Sequence, residues 1–448
     1  MRPVLRRGRS VLERELLTRD EIDQRLAAFR ALLEASGVEA AVVVGTVEAF
    51  APLTYLTAYA PMHQWATALV HRTEPTVLLA GLGGARNLPY VSTLTWVSDL
   101  RYYPSVGEGA AAVLAEWGVT GGVGIAGAPE LPVGPWRALR RDLEGLRTVD
   151  LDGAFARLRR SKRPRELAAL RLAAALRDRA LAAGRKAAGQ AGATPSTVGF
   201  AVERAARLGG ARDVRVLVHH PVTATWETPG ATGHGPSGAP APGPSGRACT
   251  VFLGVERCGY WAEAMVQLHP DPDPDPDPDP DQAPDQAPDK APAPDKAPAQ
   301  PADLADPAGA AAEAVVAAMV GAARPGVPLS AVAQAGLAAL EAAPGLDEAA
   351  RQVAGALGLG AAVGLGRERP VAVPDPAAWG ASAGVGRSGD PGEPLVAGEV
   401  LALRCGIPGG AAGAAAGGAA GSGGVAAASR DVVVVEGGTR PLQEVSGA

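Results

Sequence analysis

The amino-acid sequence predicts an α+β protein in which a mixed α/β domain over residues 1–155 precedes a larger domain over residues 156–448. A chain of 448 residues is long enough for two to three domains. Patterns typical of helices and strands alternate in its first third, as they do in α/β proteins. A long amphipathic helix then begins near residue 161, and the low-complexity segments all come after it.

The first predicted helix covers residues 18–37. Thr18 and Glu21 have the spacing of a capping box, and Gly37 is a typical residue just beyond a helix end. Apolar residues between them recur at steps of three and four, which places them on one helical face. They are Ile22, Leu26, Phe29 and Leu33.

Strands and helices follow in alternation through the rest of the first domain. AAVVVG at 40–45 reads as a buried strand, and the stretch 67–81 reads as two strands joined by a turn at Glu74 and Pro75. Residues 108–127 repeat the order of helix, turn and strand, and 131–143 add another helix. The predicted core of this domain is therefore a sheet covered by helices.

The second domain opens with a long helix over residues 161–185. Pro164 suits its first turn, where the missing N–H costs no hydrogen bond. An apolar stripe with charged residues opposite it predicts that one face packs on a sheet. The stripe consists of Leu167, Leu170, Ala174 and Leu181.

Three low-complexity segments, at 228–246, 269–307 and 409–424, are predicted to be insertions into this domain. The middle one begins with a repeated Asp-Pro dipeptide, whose prolines cannot donate to a helix or a sheet. An extended chain spreads its carboxylates apart, whereas Ca²⁺ needs six to eight oxygens around one point. The repeat is therefore interpreted as a solvated spacer rather than a cation site.

Charge and cysteine content exclude several classes of partner. A net charge of -5 favours neither nucleic acid nor an anionic membrane. The three cysteines form no C-x-x-C pair, which fits a reducing compartment. The basic first residues lack the apolar stretch of a signal peptide, and no long apolar run suits a membrane span. We expect a cytoplasmic protein.

The stretch GRACTVFLGVERCGYWAEA at 246–264 carries the clearest resemblance to a known family. It resembles a hairpin of the creatinase, Xaa-Pro aminopeptidase and methionine aminopeptidase superfamily, usually GDLVLIDLGAEYDGYWSDITRT. The residues that match are Leu253, Gly254, Gly259, Tyr260 and Trp261. The resemblance implies a creatinase-like first domain, then a pita-bread domain with a curved antiparallel sheet under helices, in a homodimer.

The resemblance also locates the family's metal ligands, which are two Asp, one His and two Glu around two divalent ions. This sequence differs at each of these positions. They correspond to Phe252, Glu263, Ala361, Arg404 and either Ser429 or Arg430. A guanidinium about 4 Å from a dication costs roughly 8 kcal/mol at an effective dielectric of about 20. We expect no catalytic metal and no cofactor.

Creatinase, in the same superfamily, works without metal through a histidine. His219 lies in HHPVT, which resembles the creatinase segment H-N-P-V-T, and His234 competes with it for this role. Glu263 would orient substrate or water, or pair with Arg404. The expected substrate-binding residues are Arg367, Arg404 and Tyr260, although Tyr260 also reads as a core residue.

Two functions stay open from the sequence. The first is a metal-independent hydrolase of a C–N bond in a small amide, amidine or peptide, with His219 or His234 and Glu263 as its catalytic residues. The second is a catalytically inactive pita-bread protein that binds a small-molecule or peptide ligand, or a protein partner. A metallopeptidase is the third and weakest interpretation, because its ligand positions are substituted.

Overall fold

The computed structural model describes residues 10–47, 49–62, 64–80, 84–190, 192–220, 225–229, 249–268, 307–344, 346, 360–363, 393–408 and 425–444. The predicted insertions at 228–246, 269–307 and 409–424 lie almost wholly outside these residues. No helix in the described part of the chain is long and apolar enough to cross a bilayer.

The first domain is built on a six-stranded sheet in the order β4-β3-β2-β1-β5-β6. Its strands β1 and β5 are parallel, whereas β1 and β2 are antiparallel. The strands are β1 Ala40–Thr46, β2 Trp65–His71, β3 Val77–Leu79, β4 Asp99–Arg101, β5 Gly122–Ala126 and β6 Arg147–Asp150. The helices are α1 Arg19–Ala35, α2 Ala51–Thr57, α3 Leu88–Val91, α4 Val106–Glu116, α5 Val133–Asp142 and α6 Asp152–Leu158.

The predicted elements of this domain are confirmed. Helix α1 begins after Thr18, whose hydroxyl accepts a hydrogen bond from the Glu21 backbone N–H at 3.3 Å. The Glu21 side chain, however, accepts hydrogen bonds from Arg25 and Arg163. The acidic residue of the predicted capping box therefore ties α1 to the second domain.

Helices cover both faces of this sheet. Apolar residues of α4 and α5 pack on one face, and those of α1, α2 and α6 pack on the other. Phe155 of α6 lies against Phe29 and Tyr55, with ring centroids 4.6 and 5.8 Å apart. Helix α6 spans the predicted domain boundary and packs with the first domain.

The first half of the second domain is a helix pair on an antiparallel sheet in the order β10-β9-β7-β8. Apolar residues of both helices pack against the sheet, among them Leu181 of the predicted stripe. The rest of the stripe, Leu167, Leu170 and Ala174, packs in the core shared with the first domain. The helices are α7 Pro164–Ala188 and α8 Pro195–Leu208, and the strands are β7 Asp213–His220, β8 Thr225–Glu227, β9 Cys249–Arg257 and β10 Tyr260–Leu268.

The second half repeats this plan with another helix pair and an antiparallel sheet in the order β11-β12-β13-β14. The two helices enclose an apolar core with β12 and β13. The helices are α9 Pro307–Ala322 and α10 Leu329–Ala342, and the strands are β11 Gly360–Val363, β12 Val400–Pro408, β13 Val425–Val435 and β14 Gly438–Pro441.

The turn between β9 and β10 places a cysteine in a strained conformation. Arg257 pairs with Tyr260, so Cys258 and Gly259 form a two-residue loop, with φ of 55° and 89°. Positive φ at both positions is the type I′ turn, which favours Asn-Gly. We expect Cys258→Asn to raise the free energy of unfolding by about 0.5 to 1 kcal/mol, measured by urea denaturation.

Cys258→Ala is the matched control for this turn. Alanine also lacks the thiol but keeps the steric cost of a left-handed conformation. Cys258→Ala should therefore not raise the free energy of unfolding. Equal stabilisation by asparagine and alanine would show that the turn conformation is not the cause.

Candidate functional site

The strands β7, β9 and β10 each turn alternate side chains to opposite faces of their sheet. On β10, Ala264 and Leu268 pack with α7 and α8. The odd-numbered residues of this strand therefore lie on the opposite face. We call that opposite face the site face. It carries Asp213, Arg215, Leu217, His219, Thr250, Phe252, Gly254, Glu256, Trp261, Glu263 and Met265.

The central row of the site face is apolar. Phe252 pairs in register with Leu217 on one side and Met265 on the other. Phe252 stands where the resemblance places the first metal-binding aspartate of the family. None of these three side chains has an oxygen or nitrogen atom to offer an ion.

The next row towards the hairpin turn carries opposite charges. Gly254 pairs with Arg215 and with Glu263, so the two charged residues flank a glycine on neighbouring strands. Glu263 is 5% exposed. The Arg215 guanidinium lies 4.8 Å from the centre of the Trp261 ring, which confirms that both side chains share the site face. A cation stacked on an aromatic ring and a carboxylate therefore lie on either side of Gly254.

The row closest to the turn carries Asp213 and Glu256. Glu256 is fully buried, and its carboxylate accepts hydrogen bonds from Arg212 and from the Gly259 backbone N–H. These two hydrogen bonds hold the Glu256 carboxylate at the hairpin turn. Among the described residues, no group of three or more His, Cys, Asp or Glu is placed to hold a metal ion.

His219 lies at the far end of the site face. It is 6% exposed and pairs with Trp226. Its position on β7 is four residues beyond Arg215, so its Cα is about 16 Å from that of Glu263 by strand rise and strand spacing. The two side chains cannot exchange a proton directly, and a ligand would have to span the gap between them.

The other predicted site residues fall in three places. His234 and Arg367 lie outside the described residues. Arg404 lies on β12, opposite Ser429 of β13. Arg430 is exposed and donates a hydrogen bond to Glu313 of α9 at 2.9 Å, so it does not join the site face.

Tyr260 does not contact the site face. Tyr260 lies three residues before Glu263 on β10, so its side chain is on the opposite face of the strand, towards α7. It is fully buried, and its hydroxyl donates a hydrogen bond to Glu166 at 3.1 Å. Burial raises the pKa of Tyr260 well above its ordinary value. Its side chain packs in the core that α1 and α2 share with α7, in keeping with the core position that the sequence also allows.

A buried ion pair behind the sheet was not predicted from the sequence. Arg177 of α7 donates hydrogen bonds to the Asp431 carboxylate of β13 and, at 3.2 Å, to the backbone carbonyl of Glu263. Burial raises the pKa of Asp431, and the neighbouring Arg177 opposes that shift. The one local sign of this ion pair in the sequence is the charged dipeptide Arg430-Asp431, directly before VVVV at 432–435.

No protein-family model and no curated protein sequence matches this chain. Solved structures do match. An X-Pro aminopeptidase from Thermotoga maritima has a TM-score of 0.64 at 14% identity, over 93% of this chain and 96% of its own.

Two further structures show the same likeness. The prolidase from Pyrococcus horikoshii has a TM-score of 0.61 at 14% identity, over 94% of this chain and 98% of its own. The dipeptidase PepE from Mycobacterium ulcerans has a TM-score of 0.62 at 20% identity, over 94% of this chain and 95% of its own. The chain therefore has the α+β fold of these proteins, with an α/β domain followed by a pita-bread domain.

Proposed function

We propose that this chain binds a small amide or peptide ligand on the site face and does not hydrolyse it by a two-metal mechanism. The observation that carries the proposal is the apolar row of Leu217, Phe252 and Met265 at the centre of that face. The solved structures of similar fold are of aminopeptidases and dipeptidases, which supports a ligand of the peptide class.

The donor groups of the described residues do not fit two divalent ions. Such ions need several hard oxygen ligands that also neutralise their charge. Phe252 offers none, Glu256 is bound by Arg212 and the turn, and Asp431 is bound by Arg177. Glu263, Asp213 and His219 remain on the site face, but among the described residues they are not placed as a group that could hold an ion.

The same residues suit a zwitterionic ligand. Arg215 presents a planar guanidinium that recognises a carboxylate, and Glu263 presents a carboxylate that recognises an amino group. Across Gly254 their Cα atoms are about 10 Å apart, a separation comparable to the length of a dipeptide. The Trp261 indole nitrogen Nε1 is buried and has no hydrogen-bond partner, so it is a donor for a ligand carbonyl.

Binding is testable by calorimetry with the dipeptides Ala-Pro and Leu-Pro as probes. We expect Glu263→Gln to weaken binding at least tenfold, because it removes the charge that faces the ligand amine. Met265→Leu, an apolar exchange on the same face, is the matched control and should change the affinity little. Absence of binding by both probes, or unchanged affinity in Glu263→Gln, contradicts the proposal.

A second function is favoured by one observation, the buried position of His219 on the site face. An imidazole there could transfer a proton to a ligand without any metal. This function predicts dipeptide cleavage, detected by mass spectrometry, that persists in EDTA and is lost in His219→Gln. If that result is obtained, metal-independent hydrolysis replaces simple binding as the function.

A further inference from the structure

A cavity lies between the two domains, away from the site face. Its volume is about 330 Å³, which is within the usual range for small-molecule sites. It is open to solvent on one side and is lined by the segment 10–17, the end of α2 and the residues after it, Leu94, the end of α8 and the turn of the β9–β10 hairpin. None of the residues that define the site face lines it.

The polar part of the cavity wall is rich in guanidinium groups. Arg207, Arg212 and Arg257 line it, against the single carboxylate of Glu13 among its lining residues. Each arginine is oriented by a carboxylate: Arg207 by Glu203 at 2.8 Å, Arg212 by Glu256 at 2.5 Å and Arg257 by Glu13 at 2.6 Å. Each guanidinium is thus matched by one carboxylate, so the wall would recognise an anion through its N–H donors rather than through net charge.

Arg212 is the donor best prepared for that anion. Its Nε donates a hydrogen bond to the fully buried Glu256, and its guanidinium lies 5.1 Å from the centre of the Phe50 ring. Its Nη2 is buried and has no hydrogen-bond partner. A buried donor without a partner costs free energy, and an anionic oxygen beside it would remove that cost.

The remaining wall is largely apolar. Leu12, Leu17, Ala60, Leu94 and Ala211 line it, and all five are buried. Burial of apolar ligand surface against these side chains would supply most of the affinity. We propose that this cavity binds a small organic anion, with its apolar body on these side chains and its carboxylate or sulfonate group on Arg212.

The test uses two dyes that share one aromatic body. Anilinonaphthalene sulfonate carries an anionic group, and N-phenylnaphthylamine does not. Titration of the full chain, followed by fluorescence, should give saturable binding of one sulfonate dye per chain, at least tenfold tighter than the neutral dye. Equal affinities of the two dyes would overturn the anion preference.

Two variants connect that binding to the cavity. Ala60→Phe fills the space and should abolish binding of both dyes. Arg207→Gln removes an accessible guanidinium, leaves no buried charge unpaired, and should weaken the sulfonate dye severalfold while the neutral dye is unchanged. Arg204→Gln, on the exposed side of the same helix, is the matched control.

The proposal remains testable even if the Ala60→Phe variant does not fold. If that variant fails to fold, Arg207→Gln still separates the alternatives. Sulfonate-dye binding that is the same in Arg207→Gln and Arg204→Gln would place the dye elsewhere and overturn the proposal.

Discussion

Replacing Asp431 by alanine is expected to lower the free energy of unfolding by about 3 to 5 kcal/mol. Both side chains of the pair are almost inaccessible to solvent, with 8% and 3% exposure, and the variant leaves Arg177 with the half-exposed Asp178 as its remaining carboxylate. Arg177 also anchors β10 through the Glu263 carbonyl, so the loss should disturb the site face. Urea denaturation followed by circular dichroism measures the effect.

Two controls separate the buried charge from a general effect of substitution. Arg430, next to Asp431 on β13, forms an exposed pair with Glu313 of α9, and Arg430→Ala should cost less than about 1 kcal/mol. The double variant Arg177→Met with Asp431→Leu removes both charges and should recover most of the stability. A single variant Asp431→Ala as stable as the parent would contradict this description of the pair.

Replacing Glu21 by alanine is expected to cost about 3 to 5 kcal/mol as well. Its carboxylate accepts hydrogen bonds from Arg25 within α1 and from Arg163 at the start of α7, both at 2.8 Å. Arg25 is 1% exposed, so the variant leaves a guanidinium buried without its carboxylate. Thermal unfolding should show a lower Tm, and the two domains should lose part of their coupling.

Asp23→Ala is the matched control on the same helix. Asp23 faces Arg19 at 3.8 Å, and both side chains are more than half exposed. A pair of this kind contributes less than about 1 kcal/mol. If Asp23→Ala lowers the free energy of unfolding as much as Glu21→Ala does, the effect comes from helix propensity rather than from the buried contact.

Local patterns were sufficient to predict most elements of the first domain. The apolar steps from Ile22 to Leu33 fix the buried face of α1, and the run AAVVVG becomes the central strand β1. Both signals lie within a few residues of chain, where helix and strand periods act directly. The hairpin of β9 and β10 was also predicted, because its scaffold residues match the family.

Contacts between distant residues could not be predicted in this way. The ion pair of Arg177 and Asp431 joins residues 254 positions apart, and neither residue has a motif around it. Tyr260 was predicted to be either a substrate-binding or a core residue, because the G-Y-W match carries no information about the direction of each side chain. The strand period and the hydrogen bond to Glu166 assign it to the interior.

The distance between His219 and Glu263 was also beyond sequence reasoning. Both residues occupy the site face, as the resemblance to creatinase requires. The strand register then places them two strands and four residues apart, which no motif specifies. Register depends on the pairing of whole strands rather than on any local segment.

We propose that the site face does not support two-metal hydrolysis. This claim is tested most directly by purifying the chain, adding Mn²⁺ or Co²⁺, removing the excess and measuring bound metal together with Xaa-Pro dipeptide cleavage. We predict less than one tightly bound ion per chain and no cleavage that EDTA abolishes. Two bound ions per chain, with cleavage that EDTA removes and metal restores, would contradict the claim.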